Sequence, residues 1–383
     1  MTSTPQEQAT PLDIRIPTAL LPTDGRFGCG PSKVRPEAVT ALAAAAPGYL
    51  GTSHRRDGVR SVVARIREGV SSLFSIPDGY EVVLANGGAT AFWDVAASCL
   101  IENKSQHLSF GEFSGRFASV AAAAPHLQDP DVIESAPGTH PSPLGRAGID
   151  LYALTQNETS TGVAMPVTRP EGADAGSLVA VDATSAAGGL RVDVSQADAY
   201  YFAPQKCFAS DGGLWLALLS PAAIVRAERV GGSGRWVPAT LDLRTAITNS
   251  RLDQTYNTPA LATLYLLADQ LEWMLAGGGL EWAASRTDRS AEHLYGWAES
   301  SSYASPFVAK PDERSHVVGT IDLDASVDSE QVCQVLRANG ILDTEPYRKL
   351  RRNQLRVAMF PAIEPDDVAA LTTCVDHVVE RLA

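Results

Sequence analysis

The feature that most restricts this chain is a repeated unit in which a short apolar run meets a glycine-bearing turn and then a stretch with helical spacing. EVVLA at 81–85 runs into Asn86-Gly87-Gly88 and a helix through AFWDVAASCL, and HLSF at 107–110 runs into Gly111 and a helix over 115–124. LYALTQN at 151–157, SLVAVDAT at 177–184 and AYYFAPQK at 199–206 read as further strands. LWLALLS, after Asp211-Gly212-Gly213, reads as one more strand of either direction. Upstream, 35–46 reads as a helix, and Val59, Val62, Val63, Ile66, Val70 and Phe74 mark another by their spacing. Strands alternating with helices imply an α/β fold built on a mostly parallel sheet with right-handed crossovers.

A chain of 383 residues exceeds one simple core and suggests two domains. A long helix over 259–276 meets Gly277-Gly278-Gly279, a natural end for a large domain over 21–276. Beyond it the pattern is helix (280–300), strand (315–322), helix (329–338), strand near 341, strand (354–359) and helix (365–381). This suits a smaller α+β domain over 277–383. Residues 1–20 are polar and proline-containing, and read as an N-terminal arm with little structure of its own.

A net charge of −13 argues against a nucleic-acid or anionic-membrane partner, so an anionic ligand would need a few focused arginines. The five cysteines (Cys29, Cys99, Cys207, Cys333, Cys374) are scattered with no CxxC pair. Neither a disulfide framework nor a metal site is expected, and a reducing compartment is. No basic-then-apolar leader is read at the N-terminus, and no apolar run reaches the ~20 residues of a membrane helix. A soluble cytoplasmic protein is the expectation.

The chemistry concentrates between Val179 and Gly213. Asp182 ends the apolar run LVAVD, and Lys206 ends YYFAPQK. In an open α/β sheet, ligands collect at the carboxyl ends of the strands, so both side chains can face one crevice. A pyridine cofactor needs a carboxylate to hold its ring nitrogen protonated and a lysine to form an imine with its aldehyde. Taken singly, a loop-capping aspartate and a solvated lysine are commoner explanations. The aromatic and apolar neighbours of Lys206 favour a lowered pKa, as imine chemistry requires. Asn86-Gly87-Gly88-Ala89-Thr90, between a strand and a helix, suits an anion: glycines allow close approach and the helix start offers free N–H groups. It matches neither the P-loop nor the dinucleotide fingerprint.

Seven blocks, FGCGPSKV at 27–34, GTSHR at 51–55, NGGAT at 86–90, QNETSTG at 156–162, VDATSAAGG at 181–189, APQKCF at 203–208 and YNTPA at 256–260, together resemble the phosphoserine aminotransferase family. These are class V members of the fold-type I pyridoxal-phosphate enzymes. The resemblance runs from about residue 25 to 360. It implies a large domain with a mostly parallel seven-stranded sheet, a smaller C-terminal α+β domain, and pyridoxal 5'-phosphate as cofactor.

The same resemblance implies residue roles. Lys206 would form the Schiff base and shuttle the proton, and Asp182 would pair with the ring nitrogen. Ala89, Thr90 and Gln205 would bind the cofactor phosphate, and Thr159 the ring's phenolic oxygen. Asn257 and Thr258 would reach that phosphate from a neighbouring subunit, implying a homodimer with shared sites. The family commonly stacks a tryptophan on the ring where this chain has Phe113; Trp93, the other candidate, reads better as core. His54, Arg55, Arg348 and Arg356 would bind substrate, with Arg356 on the α-carboxylate. The implied reaction interconverts 3-phosphohydroxypyruvate and glutamate with phosphoserine and 2-oxoglutarate, in serine biosynthesis with pyridoxine biosynthesis as a second setting. The alternative is a serine–glyoxylate type aminotransferase using an unphosphorylated keto acid, which would preserve every cofactor residue.

Overall fold

The computed structural model of the chain describes residues 13–382; of the expected arm, residues 1–12 lie outside the described residues. Two helices come first, α1 (Pro36–Tyr49) and α2 (Asp57–Phe74). Along α2 the apolar residues recur three and four apart, and Val59, Val62, Val63, Ile66, Val70, Leu73 and Phe74 are all buried. The helix stops at Ser75, left-handed at φ 46°, whose N–H closes on the carbonyls of Ser71 and Ser72.

The main sheet uses β1 (Glu81–Gly87), β2 (Ser105–Ser109), β3 (Asp131–Glu134) and β4 (Leu151–Thr155). A small hairpin follows, β5 (Asn157–Glu158) with β6 (Val163–Ala164), then β7 (Leu178–Asp182), β8 (Ala199–Phe202) and β9 (Gly213–Leu219). The seven-stranded order is β1-β9-β8-β7-β4-β2-β3. β9 runs antiparallel to both neighbours, while every other pair is parallel. Helices α3 (Ala89–Cys99), α4 (Glu112–Ala123), α5 (Pro221–Gly231), α6 (Leu243–Arg251) and α7 (Leu261–Gly277) complete this body. The central strands are apolar throughout because both faces are covered. Tyr152, Leu154, Val179, Val181, Tyr200 and Phe202 pack in one core with α2 and α7. The alternate residues Leu151, Ala153, Leu178, Ala180, Ala199 and Tyr201 pack with α3 in another.

Gly278, at φ 126°, turns the chain from α7 into α8 (Gly279–Ser300). β10 (Ala304–Pro306), β11 (Val318–Leu323), α9 (Ser329–Ala338), β12 (Gln354–Ala358) and α10 (Pro365–Leu382) follow, and β10-β11-β12 form an antiparallel sheet. Their core also takes in Ile16, Phe27 and Cys29 from the start of the described chain. Residues 13–20 are therefore not a loose arm: the Ile16 N–H donates to Asn339 Oδ1 at 3.0 Å, with Ile16 itself buried. The strand expected near 341 is absent from that sheet. Leu342 instead makes one bridge to Arg26, since left-handed Gly340 and Asp343 on either side leave too short an extended run for a ladder.

The β5–β6 hairpin stitches the two bodies together. Thr320 Oγ1 on β11 donates to the Thr161 carbonyl at 2.9 Å, and the Ser315 N–H donates to the Gly162 carbonyl at 2.9 Å. Gly162 sits at φ 71°, and a Cβ there would lie 2.6 Å from Thr320 Oγ1, so only glycine fits.

Candidate active site

The parallel strands all point their carboxyl ends to one edge of the sheet. The segments that follow β1, β4, β7 and β8 open there on a cavity of about 420 Å³. Lys206 and Asp182 both line it, as the strand ends lead one to expect. Lys206 is buried, and its Nζ donates to Thr159 Oγ1 at 2.8 Å. The ammonium also lies 5.2 Å from the centre of the Phe113 ring. Gly30 presses on the lysine from the other side: it is at φ 139°, and a Cβ there would come within 2.9 Å of Lys206 Cε. Burial pushes the Lys206 pKa down; Asp182, Cys29 and Glu158 oppose this and Arg356 reinforces it. The result favours the neutral, nucleophilic amine.

Asp182 is held from two sides. Its Oδ1 accepts from the Thr184 N–H at 2.9 Å, and its Oδ2 accepts from the Trp93 indole N–H at 2.9 Å. Trp93 is buried and lies nearly parallel to Phe117, at 6.3 Å, so the expected core role is present. It also lines the cavity, which that reading did not include.

Phe113 owes its place to a buried carboxylate. Glu158 Oε2 accepts from the N–H groups of Phe113 (3.1 Å) and Ser114 (2.9 Å) and from the Ser114 hydroxyl (2.9 Å). Its Oε1 accepts from the Ser160 N–H (3.1 Å) and hydroxyl (2.7 Å). The negative charge thus sits on the free N–H groups that open α4. A Cβ on Gly111 would fall 2.3 Å from Glu158 Cγ, which is why the strand-ending residue is glycine. Tyr347 stands 6.1 Å from the Phe113 ring, and the Arg356 guanidinium lies 5.3 Å from the Tyr347 ring. Arg356 on β12 also donates to the Thr159 carbonyl at 3.4 Å. Arg348 and Arg116 reach the same cavity, so three arginines gather at one opening of an acidic protein.

Ala89 and Thr90 line the cavity as the first two residues of α3, where N–H groups have no partner within the helix. Four lining residues carry buried polar atoms without a hydrogen-bond partner among the described residues: Gln205 Oε1, Asn157 Oδ1, Thr184 Oγ1 and Arg356 Nε. A polar ligand with both donors and acceptors would satisfy them.

The remaining candidates do not join this cavity. His54, Arg55, Asn257 and Thr258 instead form a surface cluster beside the end of β1. Thr258 Oγ1 lies 3.2 Å from His54 Nδ1, and Arg55 donates to Gln254 Oε1 at 2.7 Å. Asn86 Nδ2 donates to the Thr258 carbonyl at 2.8 Å. Arg55, Tyr256, Asn257 and Thr258 are exposed. Burial, and then the charge of Arg55, lowers the His54 pKa, so the imidazole is neutral near pH 7.

Residues 144–343 match the model of the family described as aminotransferase class-V. A relative named phosphoserine aminotransferase, from Nocardioides sp. (strain ATCC BAA-499 / JS614), is 60% identical over 370 residues, covering 96% of this chain and 99% of that one. The chain belongs to the phosphoserine aminotransferase family. Solved structures agree in fold. A phosphoserine aminotransferase from Cytophaga hutchinsonii superposes with a TM-score of 0.84 at 24% identity, covering 92% of this chain and 99% of that one. A phosphoserine aminotransferase from Trichomonas vaginalis, described as PLP-bound, gives 0.76 at 17% identity, covering 92% and 99%.

Within this family member, the cavity lining extends beyond the residues given a role from sequence and includes Gly30, Arg116, Asn157, Thr184 and Tyr347. Gly30, Asn157 and Thr184 lie inside the blocks that carry the resemblance, so membership of a block was the available signal for them, whereas Tyr347 lies outside every block. Arg116 lies in a helix and had no such signal, because its reach depends on what α4 packs against; Trp93 was named as the second ring candidate but read as core, because what its N–H meets depends on the packing of α3. Among the described residues no group of His, Cys, Asp and Glu could hold a metal ion, and no helix is long and apolar enough to cross a membrane.

Proposed function

We propose that this chain is a pyridoxal-phosphate-dependent transaminase that exchanges the amino group between glutamate and 3-phosphohydroxypyruvate, giving phosphoserine and 2-oxoglutarate. The observation that carries the reading is one cavity in which a buried lysine of lowered pKa faces a buried aspartate. The residues suit the group: a lysine for its aldehyde, a carboxylate for its ring nitrogen, a helix start for its phosphate, and unpartnered polar atoms between. Pyridoxal phosphate, when bound, supplies an aldehyde that takes up amino groups and a ring that holds an electron pair.

Lys206 then holds and moves the proton at the substrate Cα, and its contact with Thr159 keeps the amine aimed inward. Asp182 keeps a proton on the ring nitrogen. Ala89, Thr90 and Gln205 bind the phosphate, Thr159 bonds the phenolic oxygen, and Phe113 covers one ring face. Arg356 takes the α-carboxylate that both substrates share. Arg348, with His54 and Arg55, takes the distal phosphate or carboxylate.

His54, Arg55, Asn257 and Thr258 serve the cavity of a second copy in a homodimer; the exposure of Arg55, Asn257 and Thr258 beside His54, outside their own cavity, supports this. We read 277–383 as a smaller domain and 21–276 as the large one, with the residues around Phe27 packed across. A cytoplasmic setting suits the five free, buried cysteines.

The test is a two-stage reaction. The purified, cofactor-loaded protein should be converted by glutamate alone and restored by 3-phosphohydroxypyruvate. A panel of pyruvate, glyoxylate and the four-carbon phosphonooxy keto acid fixes the specificity. Equal kcat/KM for an unphosphorylated keto acid would replace this reading with the serine–glyoxylate type.

A further inference from the structure

We propose that Trp93 is a positioning residue whose indole N–H holds the Asp182 carboxylate aimed at the cofactor's ring nitrogen. This rests on the pyridoxal-phosphate reading above. The two groups meet deep in the protein, with Trp93 2% and Asp182 5% exposed, and their contact is 2.9 Å. A buried carboxylate requires donors, and Asp182 has one backbone donor, Thr184, on Oδ1. The donor on Oδ2 is the Trp93 side chain. The carboxylate therefore has neither oxygen free to turn, which is what a partner for a fixed ring nitrogen needs.

Trp93 also has a particular place on its helix. It lies four residues after Ala89, one turn along α3 and on the same face. The turn that starts α3 is the candidate phosphate site, and the next turn carries the indole that holds Asp182. One helix thus sets both ends of the cofactor site, and the span between them is built into its pitch. Phe117, packed against the indole, keeps it from swinging away. Tyr201 is a neighbour able to substitute as donor, because its phenol feels both the charge of Asp182 and the Trp93 side chain.

The test measures binding of pyridoxal phosphate to the cofactor-free protein by absorbance titration, in the wild type and four variants. Trp93→Phe, alone or with Tyr201→Phe, should weaken binding by about ten- to a hundred-fold, the worth of one hydrogen bond to a charged group. In an Asp182→Ala background, Trp93→Phe should add about two-fold or less, because its effect runs through that carboxylate. Competition by inorganic phosphate should be unchanged in Trp93→Phe, showing that the start of α3 is intact. Unaltered cofactor affinity in Trp93→Phe/Tyr201→Phe would overturn the proposal. So would an equal loss in the Asp182→Ala background, or a parallel loss of phosphate affinity, either of which marks a packing role only. A wild type that takes up no pyridoxal phosphate would instead overturn the transaminase reading.

Discussion

Replacing Glu158 by glutamine tests how Phe113 is held in the cavity wall, because it keeps the shape and removes the charge. The carboxylate accepts five hydrogen bonds, three on Oε2 and two on Oε1, and three of the five come from backbone N–H groups. A glutamine amide can keep one oxygen as acceptor but must point its NH₂ at donors on the other side. The best arrangement turns the oxygen toward Phe113 and Ser114 and sacrifices the Ser160 N–H. Losing one hydrogen bond to a charged group costs about 1.5–3 kcal/mol, and losing the charge at a helix start costs roughly another 1 kcal/mol. The sum, about 2.5–4 kcal/mol, should appear as local opening of the first turn of α4. Hydrogen exchange of the peptide spanning 110–117 reads this directly, and protection should fall about 70- to 1000-fold in Glu158→Gln. Protection equal to the wild type would refute the argument and leave the orientation of Phe113 without this cause.

Other expectations follow from the same site. Lys206→Ala should lose at least about 10²–10⁴-fold in transamination, with circular dichroism unchanged, since the proposed function makes the amine both imine former and proton carrier. Asp182→Ala should lower kcat strongly; a near-normal kcat would assign the ring nitrogen to another group. Arg356→Ala should cost both half-reactions about 1.5–3 kcal/mol in stopped-flow measurements, whereas His54→Ala and Arg348→Ala should cost that mainly with the phosphorylated substrate. The lowered Lys206 pKa also predicts a pH effect on the cofactor-free protein. The folded state binds that proton less readily than the unfolded chain, so the contribution is full above the ordinary lysine value of 10.5 and is lost as pH falls through the lowered folded value. In urea unfolding, the rise in stability with pH across that window should be absent from Lys206→Met.

The central strands were legible because a strand covered on both faces is written as a continuous apolar run, and LVAVD and AYYF are such runs. A polar residue at the end of such a run stands out, which is how Asp182 and Lys206 could be read together. What periodicity does not carry is the partner of a side chain. Trp93 sits among apolar helical neighbours, and only the packing of α3 on the sheet brings its N–H to a strand 89 positions further along the chain. Glu158 gives no local sign that it caps α4, since that helix starts more than forty residues earlier. The placement of His54 and Arg55 away from the cavity is similarly invisible, because sequence order does not show which side chains the fold brings to one opening. Near 341, two apolar residues suggested a strand, but the left-handed residues around them allow one bridge only.

The packing of Ile16 and Phe27 among residues from the far end of the chain has a consequence for how the protein is made. Ile16 and its partner Asn339 are separated by 323 positions. At a synthesis rate of 5–20 residues per second, the early segment leaves the ribosome about 16–65 s before its partner exists. Throughout that interval its apolar side chains have no native cover. The sheet that bears Asp182 and Lys206 can be complete well before then, yet the core around β10–β12 closes only when the earlier-made segment is fitted against the later one. A nascent chain halted before β12 would therefore present a finished sheet together with an uncovered apolar strap at its front end, the kind of surface that holding chaperones bind.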